Sequence, residues 1–223
     1  MRILAADTAL GACSVALLDN GKVLAHRFEP MERGHAEALA PMVDEAMREA
    51  GLAFAELERL AVTTGPGTFT GQRVGLAFMR GLRVALNKPL AGITTLQAMA
   101  AAAMDGTGLS VAAALHDARR GEVYAYAGSR EREIVSLRVA PFDDAVEEIF
   151  AALREEPLAF AGTAAEAAAR AHEKLGGRAR LSAVRQPDAL WVARLAVLLP
   201  APNEVPRPLY LRPPDAKLPV SNR

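Results

Sequence analysis

The chain has 223 residues, 51% of them hydrophobic and 23% charged, and its 26 basic and 26 acidic side chains leave a formal net charge of +0. That length suits one large domain or two of about 100 residues each with a substantial core, and the charge balance argues against a chain that binds nucleic acid by itself. The single cysteine, Cys13, excludes an internal disulfide. No apolar run is long enough to span a bilayer and the N-terminus lacks a signal-peptide pattern, so the expected compartment is the cytoplasm.

Residues 2–7, 12–18 and 22–28 read as three strands, the last two joined by an Asn-Gly hairpin turn at Asp19-Asn20-Gly21. A helix over about 34–50 follows, with Leu39, Met42, Val43, Ala46, Met47 and Ala50 on one face and Gly51 as its stop. Strand 59–64 leads into Gly65-Pro66-Gly67-Thr68-Phe69-Thr70-Gly71 and a helix over about 70–86. Strand 89–93 and an alanine-rich helix over about 95–104 close a βββαβαβα order.

Asp105-Gly106-Thr107-Gly108 marks a break, after which the order starts again. Strands are expected from Ser110 to Leu115 and over 121–128, 133–139 and 157–161, and helices over about 142–153, 163–176 and 188–199. The proline-rich segment 200–223 reads as an extended tail packed on a domain surface. Two α/β units result, 1–104 and 105–223, whose first strands end in Asp7 and Asp117, where such sheets bind ligands.

The glycine turn has neither the Lys-Ser/Thr pair of a Walker A loop nor the dinucleotide fingerprint. Phosphate binding through Asp7, Thr8, Gly67, Thr68, Thr70 and Gly71, and close backbone packing with a threonine helix cap, both remain open for it. The helix that follows is apolar on two sides. A core stripe of Val74, Ala77, Phe78, Leu82 and Ala85 stands against a second face with Arg73, Leu76, Met79, Arg80 and Arg83. Such a helix is either central to its own domain or shared with a partner.

His35 lacks a second histidine four residues on, which makes it a helix-terminal hydrogen bonder rather than a zinc ligand. His26, His116 and His172 stand isolated, and Cys13 reads as a small buried hydrophobe. The charged run from Asp117 to Tyr124 is either a salt-bridged hairpin or a recognition loop. No catalytic residue or metal cluster emerges, and a peptidase role has little support.

Together, Leu4-Ala5-Ala6-Asp7-Thr8, Cys13-Ser14-Val15-Ala16-Leu17, Arg33-Gly34-His35, the glycine turn with Arg73-Val74-Gly75, Asp117-Ala118-Arg119 through Tyr124 and the late Pro208-Leu209-Tyr210-Leu211-Arg212 resemble the TsaB (YeaZ) family. That resemblance implies an actin-like, RNase H-related fold with two tandem subdomains. It also implies a non-catalytic partner of TsaD, the metal-bearing paralogue that makes threonylcarbamoyladenosine in tRNA, with a TsaE-like ATPase in the wider complex. Thr95 and Met99 fall where TsaD-like chains carry two histidines.

The resemblance further implies pairing through the first two helices, with TsaD or with a second copy, which puts Arg73, Leu76, Met79, Arg80, Arg83 and His35 at or near that interface. On this reading Met79→Asp weakens association and spares the fold. No cofactor is expected on the isolated chain, ATP or ADP belongs to the complex, tRNA is met only indirectly, and no membrane is involved. The competing reading is an independent ATP-binding phosphotransferase or ATPase of the same fold.

Overall fold

The first three strands, β1 (Arg2–Asp7), β2 (Ala12–Asp19) and β3 (Lys22–Pro30), form an antiparallel meander in a computed structural model that describes residues 1–202 and 204–212. Asn20 and Gly21 close its hairpin at φ 48 and 83, left-handed values that an Asn-Gly pair adopts readily. Helix α1 (His35–Ala50) follows and ends on Gly51 at φ 64. Then come β4 (Arg59–Thr63), α2 (Phe69–Leu86), β5 (Leu90–Ile93) and α3 (Thr95–Thr107).

The second series runs β6 (Val111–Arg119), β7 (Glu122–Ser129), β8 (Glu133–Pro141), α4 (Phe142–Leu153), β9 (Pro157–Ala161), α5 (Ala165–Lys174), β10 (Arg178–Leu181) and α6 (Ala189–Leu198). The strand orders β3-β2-β1-β4-β5 and β8-β7-β6-β9-β10 are the same path traced twice. In each sheet the first strand pairs antiparallel with the second and parallel with the fourth.

Three sequence expectations change. The segment Asp105-Gly106-Thr107 is the last turn of α3, and Gly108 caps it at φ 71, so the break is the cap rather than a loop. Strand β10 was not expected; Arg178-Ala179-Arg180-Leu181 is an edge strand with mostly exposed side chains and carries no hydrophobic run. The helices also do not respect the boundary between 104 and 105.

Helix α6 packs on the first sheet, where Ala189, Val192, Ala193 and Ala196 meet Ile3, Ala5, Ala16, Leu18, Ala61 and Ile93. Helix α3 inserts against the second sheet, its Leu96, Met99, Ala100 and Ala103 meeting Ala112, Ala114, Ala159 and Ala161. The chain thus stacks α1 and α2, sheet one, α6 and α3, sheet two, then α4 and α5.

Alternation along the strands explains this layering. Leu4, Val15, Leu17, Leu60 and Val62 face α1 and α2, while the alternate positions, rich in alanine, face inward. Small side chains on both surfaces let the middle helices approach closely. Polar contacts fix α6 at both ends. Asp188 accepts from Leu190 N (2.8 Å), Ser14 Oγ accepts from Ala189 N (2.8 Å), and Arg59 donates to the carbonyls of Ala196 (2.6 Å) and Leu199 (2.8 Å). His26, isolated in the sequence, lies 2.8 Å from Asp188 Oδ1.

Candidate functional site

The turn after β1 and the glycine turn after β4 meet at the carboxyl ends of adjacent parallel strands. Asp7 is fully buried; its Oδ1 accepts from Thr63 Oγ1 (2.5 Å) and from Ala9 N (3.2 Å), and its Oδ2 has no partner among the described residues. Burial pushes the carboxyl up to about 7, the two hydrogen bonds draw it down, and nearby Asp188 raises it. Thr8 Oγ1 donates to the Gly71 carbonyl (2.7 Å) and accepts from Gly75 N (2.9 Å), so the hydroxyl bridges two successive turns of α2.

Glycine is required here because the two backbones touch. A Cβ on Gly67 would lie 2.2 Å from the Ala9 carbonyl oxygen, and one on Gly71 would lie 2.2 Å from that of Thr8. Three N–H groups of the turn and the first helical turn are already committed. Thr68 N donates to Ala9 O, Gly71 N to the capping Thr68 Oγ1, and Gln72 N to Thr68 O. Close backbone packing thus accounts for the glycines at 67 and 71. Of the six residues considered for that role, Asp7 and Thr8 are buried, Gly67, Thr68 and Gly71 are engaged in packing, and exposed Thr70 stands apart from them.

Thr95 and Met99 are likewise used for structure. Thr95 Oγ1 donates to Pro66 O (2.7 Å), and Met99 is fully buried between the layers. No group of three or more His, Cys, Asp or Glu side chains able to hold a metal occurs among the described residues. Cys13 is buried and its thiol is pushed up to about 12 by desolvation first and by Asp7 and Glu29 next, which leaves it inert.

The faces of α2 are reversed from the sequence expectation. Leu76 and Met79 are 2% and 0% exposed and belong to the core over β4, so neither is available to a partner. His35 is buried too, with Nε2 donating to the Leu10 carbonyl (3.0 Å) and tying α1 to the β1–β2 turn. Val74, Phe78 and Leu82 are half-buried against α1. The surface carries Ala77, Gly81, Val84 and Ala85, with Val84 75% exposed.

One signal in the sequence points to the correct face. Gly67, Gly71 and Gly75 recur every four residues, and continuing that row reaches Met79 on the arc nearest another backbone. The arginines lie on a third arc beside the tail, which runs along α2. Arg80 donates to Pro206 O, Arg73 Nε donates to Tyr210 Oη (2.9 Å) with its guanidinium 3.4 Å over Phe69, and Leu209 N donates to Thr64 O (2.8 Å). Arg212 then pairs with Glu122 in the second unit. The expected packing of the tail holds through residue 212, while 213–223 lie outside the described residues.

Two tandem units of this topology, each with the same strand order, define the actin-like ATPase fold. A family model described as "TsaD: tRNA N6-adenosine threonylcarbamoyltransferase" matches residues 22–187. The tRNA threonylcarbamoyladenosine biosynthesis protein TsaB of Haemophilus influenzae is 34% identical over 209 residues, 88% of this chain and 85% of that one. The protein of the same name from Escherichia coli is 44% identical over 124 residues, about half of either chain (56% and 53%). The solved structure of YeaZ from Pseudomonas aeruginosa superposes with a TM-score of 0.74 at 31% identity, covering 88% and 92% of the two chains. The chain belongs to the TsaB (YeaZ) family, within the larger family of the transferase model.

Proposed function

We propose that this chain is the non-catalytic subunit that binds and activates a TsaD-like paralogue in forming threonylcarbamoyladenosine in tRNA. The carrying observation is the contrast on α2: its side toward β4 and the Thr8–Ala9 turn is consumed by packing, while Ala77, Gly81, Val84 and Ala85 present a low apolar ridge to solvent. Small residues on a helix surface admit a neighbouring helix at short distance. Beside the ridge, α1 exposes Ala40 and Pro41 among Glu37, Asp44 and Glu45. The two helices together offer a surface for a helix pair of the paralogue, or of a second copy when the chain is alone.

In this reading a TsaE-like ATPase joins the wider assembly, and any ATP or ADP is held there rather than by Asp7, Thr8 and the glycine turn. The names of the relatives and the transferase model support the pathway, and the ridge supports the mode of action.

Val84→Asp is the test. Its exposure predicts a stability change within about 0.5 kcal/mol, together with loss of co-purification with the paralogue and of tRNA modification in a reconstituted mixture. Met79→Asp, by contrast, is expected to cost about 4 kcal/mol or more by placing a charge in the core. Unchanged co-purification of Val84→Asp, or ATP turnover by the isolated wild-type chain, would overturn the reading.

A further inference from the structure

The formal charge of zero conceals a segregation. Exposed carboxylates gather on α1 (Glu37, Asp44, Glu45) and on α4 (Asp143, Glu147), far along the stack on opposite outer layers. Along the edge shared by α2 and the tail the balance is the reverse. Arg80, Arg83 and Arg207 line a hollow of about 610 Å³ together with Val84, Val205 and a single carboxylate, Glu204. Neither Arg83 nor Arg207 forms an ion pair among the described residues. Arg80 donates to the neutral carbonyl of Pro206, and Arg73 to a tyrosine hydroxyl and a ring face, so neither meets a carboxylate among the described residues.

The basic line continues past the hollow. The tail carries it along α2 to Tyr210 and then to the β6–β7 turn, where Arg119 is exposed at φ 66. Two aromatic rings, Phe69 at 61% exposure and Tyr210 at 47%, lie within the arginine row. Guanidinium groups in excess over carboxylates, spread along an extended path and interleaved with exposed rings, match a phosphodiester backbone with unstacked bases. An acidic protein surface would need the charges but not the rings, and the apolar ridge proposed for protein docking shares only Val84 with the hollow, its Ala77, Gly81 and Ala85 lying outside it.

We propose that the edge formed by α2 and residues 204–212 contacts RNA directly, with the Arg80–Arg83–Arg207 hollow holding backbone phosphate. The inference rests on the tRNA-modification reading for the choice of RNA, and it replaces the expectation, drawn from net charge, that tRNA is met only indirectly. Because the ridge and the arginine edge adjoin at Val84 and otherwise use different residues, this chain would bridge paralogue and tRNA at once.

The test is fluorescence anisotropy of labelled tRNA over a salt series, with the full chain alone and with the chain in complex with the paralogue. Replacing both Arg83→Gln and Arg207→Gln is expected to weaken tRNA binding about ten-fold and to reduce the slope of log affinity against log salt by about two, roughly one for each phosphate no longer neutralised. Glu204→Gln is expected to strengthen binding about two-fold or more, by removing the carboxylate that competes with phosphate. Co-purification with the paralogue stays at wild-type yield in both. An unchanged affinity and salt slope in the double variant would overturn the proposal. So would loss of paralogue binding with RNA binding intact, which would make the hollow a protein-docking site. If the wild-type chain fails to pair with the paralogue, the docking reading fails by itself, and tRNA binding by the isolated chain still decides the edge.

Discussion

Asp7 and Asp117 end the same strand of two copies of one topology, and each makes the same local turn: Oδ1 accepts the N–H two residues on, from Ala9 at 3.2 Å and from Arg119 at 2.7 Å. A threonine joins both turns, Thr63 at the end of β4 donating to Asp7 Oδ1 and Thr163, two residues past β9, accepting from Asp117 N. Their surroundings differ. Asp7 is sealed beneath a glycine turn, whereas Asp117 is exposed. In the second unit α5 starts at Ala165, directly after Gly162-Thr163-Ala164, without an intervening glycine-rich loop. The difference shows that close packing of a loop, with the aspartate retained, is enough to remove the carboxylate from solvent.

The largest effect expected from this contrast is on the seal itself. Gly71→Ala drives a Cβ to within 2.2 Å of the Thr8 carbonyl oxygen, and a loss of about 3–5 kcal/mol is expected in urea denaturation. Gly81→Ala, with nothing within 4 Å on the exposed side of the same helix, should gain about 0.5–1 kcal/mol through helix propensity.

Next in size is the charge beneath the seal. Asp7 is raised to about 7 when folded, so its contribution to stability is fully present below about pH 4 and is lost as pH rises through 7. Asp7→Asn keeps an oxygen acceptor and removes that loss, giving a gain of about 2–4 kcal/mol at pH 8 and little at pH 4. Asp117→Asn should change stability by less than about 0.5 kcal/mol at either pH. Equal responses of the two variants would break the comparison.

The second unit has the opposite pH sensitivity. Burial lowers His116 to about 4 and lowers His172 as well, against weaker raising by Asp117 and Glu173. Both ring nitrogens of fully buried His172 lack partners among the described residues, and the ring lies between Phe150 and Phe160. A lowered base contributes stability that is present above about pH 6.5 and lost as pH falls toward 4. His172→Met should therefore flatten the acid side of the melting-temperature profile and add about 1 kcal/mol near pH 5. Smaller still, Thr8→Val removes one buried bridging hydroxyl and should cost about 1–2 kcal/mol, more than Thr163→Val at an exposed position.

Most of the architecture was legible in the sequence because hydrophobic period and turn chemistry agreed: the Asn-Gly hairpin, the Gly51 stop and the stripe of α1 all fall where expected. Strand β10 was not legible, since an edge strand four residues long has no buried face to advertise itself. The orientation of α2 was misread because apolar residues occupy two of its arcs and periodicity cannot say which one meets the sheet. The glycine row, read as a contact surface, settles it. Whether Asp7 met solvent or protein was equally hidden, because the same Asx turn serves a buried and an exposed aspartate in this one chain.

The docking of α6 on the first sheet has a consequence for biosynthesis. Ile3, Leu18 and Ile93 are covered by residues from 189 onward, so the first half of the chain leaves the ribosome with one sheet face bare until α6 has been made. The two α/β units are thus not independent folding modules emerging in turn. The N-terminal sheet waits for α6, and during that interval its apolar face is the surface most in need of protection from aggregation.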